Sequence, residues 1–159
     1  MEIHDAYGSE QVMFLVRHSG ENAEFKTIGD KIKYARLTAR LNKYEVAQRA
    51  GIDKRTLYRY EHDGVTEEHI DCNILIRIAE ACGVDKFCFF DEYLKFRYHS
   101  AEVVRSYIEK NKLTSAKLAH QLNASIRSVR SWRRGECSPS YKYWELLFRD
   151  YFINQYPSS

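Results

Sequence analysis

The sequence contains one pattern of residues twice, with the second copy 72 positions after the first. Each copy has a polar residue, then an aliphatic residue followed by Ala, then a Gly or Asn, and then a second polar residue. Gly and Asn readily adopt a positive φ, so each copy predicts two short helices joined by a sharp turn. Self-similarity at a fixed period is typical of a structural unit built more than once, so we expect two units. The matched pairs are Asn42 with Thr114, Val46 with Leu118, Ala47 with Ala119, Gly51 with Asn123, Asp53 with Ser125, Thr56 with Ser128, Leu57 with Val129 and Tyr60 with Trp132.

Local signals in the first copy, residues 42–64, place both of its helices. Asn42 is a good N-cap and the Glu45 side chain returns a hydrogen bond to the cap backbone, so the two predict a capping box. Gly51 ends this helix and Asp53 caps the next one. The residues predicted to face inward are Val46, Ala47, Ala50, Leu57 and Tyr60. The residues predicted to line the outer side of the second helix are Lys54, Arg55, Tyr58, Arg59 and His62.

This order of cap, Glu, aliphatic residue with Ala, Gly and second cap resembles the helix-turn-helix of the lambda repressor, Cro and Xre family. The resemblance implies that the second helix of each copy is a DNA recognition helix. It also implies a structural ion pair between Arg36 and Glu61, which would tie the preceding helix to the recognition helix. The second copy departs from that pair with Ile108 and Arg133 at the shifted positions, and in the first copy Gly64 comes one residue late after Glu61.

Both predicted recognition helices carry a basic outer face. An α-helix fits the major groove of DNA, where Arg or Lys donates two hydrogen bonds to the O6 and N7 atoms of guanine. The resemblance assigns base contacts to Lys54, Arg55 and Arg59, and to Ile126, Arg127 and Ser131. It assigns phosphate contacts to Lys43 and Ser115. The full set of predicted DNA-binding residues is Lys43, Lys54, Arg55, Tyr58, Arg59, Ser115, Ile126, Arg127, Arg130, Ser131 and Arg134. The alternative is that these charges are solvated side chains on a helix exterior.

Charge is distributed unevenly along the 159 residues, although the net charge is only +3. Residues 1–25 sum to −4, residues 26–97 to +2 and residues 98–159 to +5. Positive charge therefore accumulates toward the second copy, as expected for a protein with a nucleic-acid partner.

The expected fold is all-α, with two small helical bundles that each contain a helix-turn-helix. We expect an acidic N-terminal extension over residues 1–25, the first helix-turn-helix domain over residues 26–97, and the second over residues 98–159, ending in an aromatic helix. The extension holds one strand-like stretch at residues 11–18. Residues 85–98 predict a single helix with Asp85 as its cap. The aromatic residues of the last helix are expected to form the core of the second domain. The alternative is that the surplus aromatics Tyr143, Tyr151 and Tyr156 form a dimer face.

The pattern favours a sequence-specific regulator of transcription, and more specifically a repressor, that binds double-stranded DNA as a homodimer. The alternative is a phage-type or antitoxin-type protein that inhibits a protein partner such as a nuclease and binds DNA for autoregulation. The acidic extension is the segment expected to bind such a partner. No catalytic or nucleotide-binding motif has a workable spacing, so we expect no enzyme and no cofactor. No apolar run has the length of a membrane span, and the apolar stretch 12–16 is too short for a secretory signal, so we interpret the chain as cytoplasmic.

The four cysteines form no CxxC pair, and we expect reduced thiols, three of them buried. The alternative is a metal site in which His69 and Cys72 act with Cys82 or Cys88. Structural zinc sites normally combine two close pairs, so we expect no metal.

Overall fold

A computed structural model describes residues 25, 27–62, 65–66 and 69–157 of the chain. These described residues form helices and turns with no strand, which confirms the expected all-α fold. The chain divides between Phe90 and Asp91 into two compact units. The predicted N-terminal strand and Gly64 lie outside the described residues.

The described residues of the first unit contain four helices around an aliphatic core. Their bounds are α1 (Ile28–Thr38), α2 (Lys43–Ala50), α3 (Lys54–His62) and α4 (Cys72–Ala81). The residues with almost no exposed surface in this core are Ile32, Leu37, Val46, Leu57, Leu75 and Ile78. The capping box that begins α2 is confirmed, since both of its hydrogen bonds are present. Gly51 ends α2 with a φ of +64°.

The described part of the second unit begins with four helices and ends with a largely aromatic segment. Its helices are α5 (Glu92–Tyr98), α6 (Ser100–Lys110), α7 (Ser115–Leu122) and α8 (Ile126–Arg134). Three consecutive segments follow, namely α9 (Tyr141–Tyr143), a π-helical turn (Trp144–Phe148) and α10 (Arg149–Gln155). The core joins Phe96 of α5 to Trp144, Phe148 and Phe152.

Helices α6, α7 and α8 begin and end 72 positions after α1, α2 and α3. The matched helices are 11, 8 and 9 residues long in both units. The left-handed residues also correspond, because Asn123 has a φ of +50° where Gly51 has +64°. A second such pair, Arg40 and Lys112, has φ values of +61° and +51° after the first helix of each set. The helix bounds and the left-handed positions of α1–α3 therefore recur in α6–α8 at the 72-residue spacing of the sequence pattern.

The predicted single helix over residues 85–98 is wrong in its first half. Residues 86–89 form a turn, and the Asp85 carboxylate accepts a hydrogen bond from the Phe87 N–H at 2.9 Å within it. The α5 helix begins later, with Asp91 as its cap. Tyr93 and Phe96 belong to the core of the second unit, and the division between the two compact units comes before α5.

The π-helical turn explains how the last helical segment fills the aromatic core. A π-helix has hydrogen bonds from i to i+5 and so turns less per residue than an α-helix. Residues four apart therefore remain on one side, and Trp144, Phe148 and Phe152 are all buried. Leu146, in the middle of the turn, is directed outward and has 60% of its surface exposed.

Candidate nucleic-acid interface

A buried ion pair joins α1 to α3 in the first unit. Arg36 Nε donates to Glu61 Oε1 at 2.7 Å, and Arg36 Nη2 donates to Glu61 Oε2 at 3.4 Å. The same guanidinium donates from Nη1 to the Leu41 carbonyl at 3.1 Å. Breaking a buried pair by removing one partner leaves an uncompensated charge, so this contact holds α3 in one position relative to α1.

Gly29 allows the backbones of α1 and α3 to approach closely beside this ion pair. A Cβ atom at position 29 would lie 2.5 Å from the Glu61 carbonyl oxygen and 2.8 Å from that of Tyr60. Real Cβ atoms do not approach backbone this closely, so position 29 requires glycine. The orientation of α3 therefore rests on a backbone contact as well as on the Arg36–Glu61 pair.

Lys43 lies at the junction of α2 and α3. Its Nζ atom is 4.0 Å from Glu61 Oε2 and 5.0 Å from the centre of the Tyr58 ring. Partial burial lowers the pKa of Lys43, and the Glu61 carboxylate opposes that change. Tyr58 in turn stacks on His62, with ring centroids 4.1 Å apart. Lys43 and Tyr58 are thus held together on one side of α3.

The basic side chains of α3 point away from the core, as the spacing predicted. Leu57 and Tyr60 are buried, whereas Lys54, Arg55 and Arg59 are exposed. These three cations make no ion pair with any residue that the structure describes. The Asp53 carboxylate accepts from the Arg55 N–H at 2.7 Å and so satisfies one backbone donor at the start of α3. This face is free to meet an anionic partner.

The α8 helix presents a similar exposed face in the second unit. Val129 and Trp132 are buried, while Arg127 and Arg130 are exposed and make no ion pair within the described residues. Ile126, at the start of the helix, has 41% of its surface exposed. Ser125 caps α8 by accepting from the Ser128 N–H at 3.0 Å.

Glu136 engages two of the predicted DNA-binding residues of α8. Arg134 donates to its carboxylate from Nε at 2.7 Å and from Nη2 at 3.0 Å, and the Ser131 hydroxyl donates to it at 2.8 Å. The hydrogen bonds from Arg134 and Ser131 lower the pKa of Glu136, and the contact raises the pKa of Arg134. We did not predict a role for Glu136. The only signal in the sequence is a carboxylate placed just after the helix end at Gly135.

Ser115 does not lie on the exposed face where the resemblance implied a phosphate contact. Its side chain is buried, and its hydroxyl accepts a hydrogen bond from Arg133 Nη1 at 2.9 Å. Arg133 makes no ion pair with a carboxylate among the described residues. Its backbone carbonyl accepts a hydrogen bond from Arg105 Nη1 at 2.8 Å. Arg133 is exposed and therefore supplies the positive charge at this corner of the second unit.

A cavity of about 540 Å³ lies in the first unit, lined by Phe25, Lys31, Tyr34, Ala35, Thr38, Ala39, Cys82, Gly83, Val84, Cys88 and Phe89. Burial raises the pKa of Cys82 to about 11, and partial burial together with the nearby Asp85 carboxylate raises the pKa of Cys88 to about 11. The expectation of three buried cysteines is wrong, because Cys82 is buried, Cys72 is half-buried, and Cys88 and Cys137 are exposed. In the described part of the chain, no three His, Cys, Asp or Glu side chains come together in a way that would hold a metal ion.

Residues 32–86 match the family model described as helix-turn-helix, of the Xre and lambda-repressor type. The matched segment runs from within α1 to the turn after α4 and includes α2 and α3. This family consists of DNA-binding regulators, which are usually not enzymes. No curated protein and no solved structure matches the chain. Among the described residues, no helix is long and apolar enough to cross a membrane.

Proposed function

We propose that this protein is a sequence-specific, double-stranded-DNA-binding regulator of transcription, and that it acts as a repressor by occupying its operator. It uses two helix-turn-helix motifs, α2–α3 and α7–α8. The α3 and α8 helices enter the major groove and read bases. The remaining basic side chains bind phosphates.

One observation carries the proposal: α3 has an exposed, unpaired basic face within the segment that matches the helix-turn-helix family. Its side chains Lys54, Arg55 and Arg59 reach outward from a helix whose position is held by the Arg36–Glu61 pair. A rigidly held helix is what base recognition requires, because hydrogen bonds to base edges depend on accurate positioning. Lys43, at the start of α2, supports a phosphate contact beside this face.

The second motif is supported by the equal helix lengths and the matched left-handed residue. Arg127 and Arg130 occupy its exposed face, and Ile126 suits an apolar contact with a thymine methyl group. The sequences of the two faces differ, so the two motifs prefer different half-sites. If one chain binds alone, the operator is asymmetric and has two half-sites. If a homodimer binds, the operator is longer and has four half-sites.

Selection from a library of random DNA duplexes at two salt concentrations tests this function. We expect one enriched motif, together with an affinity that falls steeply with salt, because bound phosphates release counterions. In the selected duplex, Arg59→Ala and Arg127→Ala should each weaken binding by about 10-fold or more, the effect of losing a base contact of about 1–3 kcal/mol.

Lys86→Ala is the matched control, since it removes one positive charge from the turn after α4. It should leave the affinity nearly unchanged. If no motif is enriched, sequence-specific DNA binding is not the main role. The alternative, inhibition of a protein partner, is then tested by affinity capture with the full chain and with a variant that lacks residues 1–25.

A further inference from the structure

The cavity in the first unit lies apart from the proposed DNA interface, because none of the predicted DNA-binding residues lines it. Its volume of about 540 Å³ is within the range of about 300–1,000 Å³ that is typical of small-molecule sites. One face of α1 forms one wall, since Lys31, Tyr34, Ala35 and Thr38 are spaced at i, i+3, i+4 and i+7. The rest of the lining comes from Phe25, Ala39 and residues 82–84, 88 and 89. The cavity is therefore a candidate site for a second kind of ligand.

The interior of the cavity is apolar and its mouth is open to solvent. Ala35, Cys82 and Phe89 are buried and form the interior. Val84 and Cys88 are exposed, and so mark the side from which a ligand enters. An apolar interior with few polar groups is the usual character of a small-molecule site.

Three aromatic rings line the cavity, those of Phe25, Tyr34 and Phe89. Phe25 packs on Tyr34 with ring centroids 5.3 Å apart and an angle of 58° between the ring planes. Aromatic rings favour a further ring in an offset-stacked or edge-on arrangement. The lining therefore favours a ligand with an aromatic body.

Lys31 is the one charged side chain among the described residues that line the cavity. It is half-buried and makes no ion pair with any residue that the structure describes. Burial and the Asp85 carboxylate raise the pKa of the Cys88 thiol, and Lys31 acts in the opposite direction, so its charge reaches this part of the cavity. Asp85 does not line the cavity, and its carboxylate accepts from the Phe87 N–H at 2.9 Å. A ligand with one negative charge would complement Lys31.

We propose that this cavity binds small aromatic monocarboxylates, with the aromatic body against the three rings and the carboxylate at the Lys31 ammonium group. Phosphate esters and nucleotides carry more negative charge, and the described lining has no second cation to neutralise it. For a ligand of about a dozen non-hydrogen atoms we expect a dissociation constant between about 10 µM and 1 mM. This site goes beyond the proposed function and does not depend on it.

An NMR titration of the full chain with 2-naphthoate tests the proposal, and the neutral 2-naphthamide is the matched compound. We expect saturable shifts of the backbone amide signals of Ala35, Ala39 and Val84, with the signals of α8 unchanged. The carboxylate should bind at least about 5-fold more tightly than the amide, since a hydrogen bond to a charged group is stronger than a neutral one. Absence of shifts with 2-naphthoate up to about 5 mM overturns the proposal.

Removal of the cation tests the role of Lys31. Lys31→Gln should weaken the binding of 2-naphthoate by about 5- to 10-fold and leave that of 2-naphthamide within about 2-fold. Lys33→Gln is the matched control, because it makes the same change on α1 at a residue that does not line the cavity. Thermal melting establishes that both variants keep the fold. Equal affinity of the natural sequence and Lys31→Gln for 2-naphthoate would show that Lys31 does not bind the carboxylate.

Protection of Cys88 tests the location without any substitution. Saturating 2-naphthoate should slow the alkylation of Cys88 by iodoacetamide at least about 5-fold, because the ligand covers the thiol. Cys137 is exposed in the second unit and is the internal control, whose rate should not change. An unprotected Cys88 places the ligand elsewhere and overturns the proposal.

A variant that lacks residues 1–24 distinguishes a free ligand from the chain itself as the occupant. Phe25 lines the cavity, so the preceding residues start beside it. If this variant binds 2-naphthoate and the full chain does not, the N-terminal segment is the occupant and the proposal is overturned. The DNA selection above fails or succeeds independently of these results.

Discussion

Arg133 donates from Nη1 to the Ser115 hydroxyl at 2.9 Å, and these are the two positions that Glu61 and Lys43 occupy in the first unit, 4.0 Å apart. The start of the second helix and the end of the third are therefore linked in both units, but with different chemistry. In the first unit the carboxylate of Glu61 is buried and requires Arg36. In the second unit Ile108 replaces that arginine, and the positive charge lies on α8 itself.

The first prediction concerns the stability of the first unit. Arg36→Met leaves the buried Glu61 carboxylate with only Lys43 nearby, so the free energy of unfolding should fall by about 3–5 kcal/mol. The double variant Arg36→Met/Glu61→Leu removes both charges and should recover most of that loss. Chemical denaturation followed by circular dichroism measures the change.

Both tryptophans lie in the second unit, at positions 132 and 144, so tryptophan fluorescence provides an internal control. The fluorescence transition should be the same in the variants as in the natural sequence. A double variant as unstable as Arg36→Met would show that packing at position 36, and not the unpaired charge, causes the loss.

The second prediction concerns the close approach of α1 and α3. Gly29→Ala places a Cβ atom 2.5 Å from the Glu61 carbonyl, so the helices must move apart, at a cost of about 1–3 kcal/mol. The equivalent residue in α6 is Ala101, which already has a Cβ atom. Ala101→Gly is therefore the matched control, and its cost should be limited to the helix propensity of about 1 kcal/mol. Equal stability of Gly29→Ala and the natural sequence would contradict the backbone contact.

The third prediction concerns the contact between Glu136 and Arg134. Glu136→Gln removes the negative charge that neutralises Arg134, so the affinity for duplex DNA should rise. The slope of log affinity against log salt concentration should become steeper by about one, because Arg134 then releases one more counterion from a phosphate. The measurement is fluorescence anisotropy over a series of salt concentrations. Glu145→Gln changes the same charge on a different segment and is the control. A Glu136→Gln variant with unchanged slope would show that Arg134 does not approach a phosphate.

The fourth prediction concerns pH and the same carboxylate. The pKa of Glu136 is lowered in the folded state, so its contact is complete above the usual glutamate pKa and is lost as the pH falls through the lowered value. In a Glu136-specific NMR titration, the midpoint should lie below that of a glutamate in an unfolded peptide. In Arg134→Gln the midpoint should move back toward the ordinary range, since Arg134 is the main cause of the shift.

The fifth prediction concerns the thiols beside the cavity. The pKa of Cys88 is raised to about 11, so at pH 8 it carries far less thiolate than an ordinary cysteine, although its side chain is exposed. Alkylation by iodoacetamide, followed by mass spectrometry, should be about 100-fold slower at Cys88 than in an unfolded peptide. The rate should rise with pH up to about 11. Alkylation of Cys88 at the peptide rate would contradict the raised pKa.

Local signals in the sequence predict the start and end of α2 and the end of α7. Asn42, Gly51 and Asn123 act on backbone groups a few residues away, so their effect is visible without knowledge of the rest of the fold. The start of α5 was harder to predict, because the aromatic run around Phe90 has no clear periodicity. Whether an aromatic side chain in this run packs in the first unit or in the second depends on packing partners far away in the sequence.

The contacts of Ser115 and Glu136 also could not be predicted from spacing. Arg133 reaches Ser115 across two helices, and Arg134 reaches Glu136 around the left-handed turn at Gly135, which has a φ of +73°. Both contacts depend on where long, flexible side chains find an acceptor. The Arg36–Glu61 pair has the same character, and the resemblance to a family, not the spacing, implied it.

The π-helical turn determines which side chains of the last segment face the core and which face outward. Inserting one residue into an α-helix rotates everything beyond it by about 100°, and the wide turn at Trp144–Phe148 absorbs such a rotation. Deletion of a single residue there would restore regular winding and swing Phe152 out of the aromatic core. The exposed Ile153 would rotate with it in the same step. A one-residue change of chain length in this turn would therefore alter both the residues that face the core and the residues that face outward.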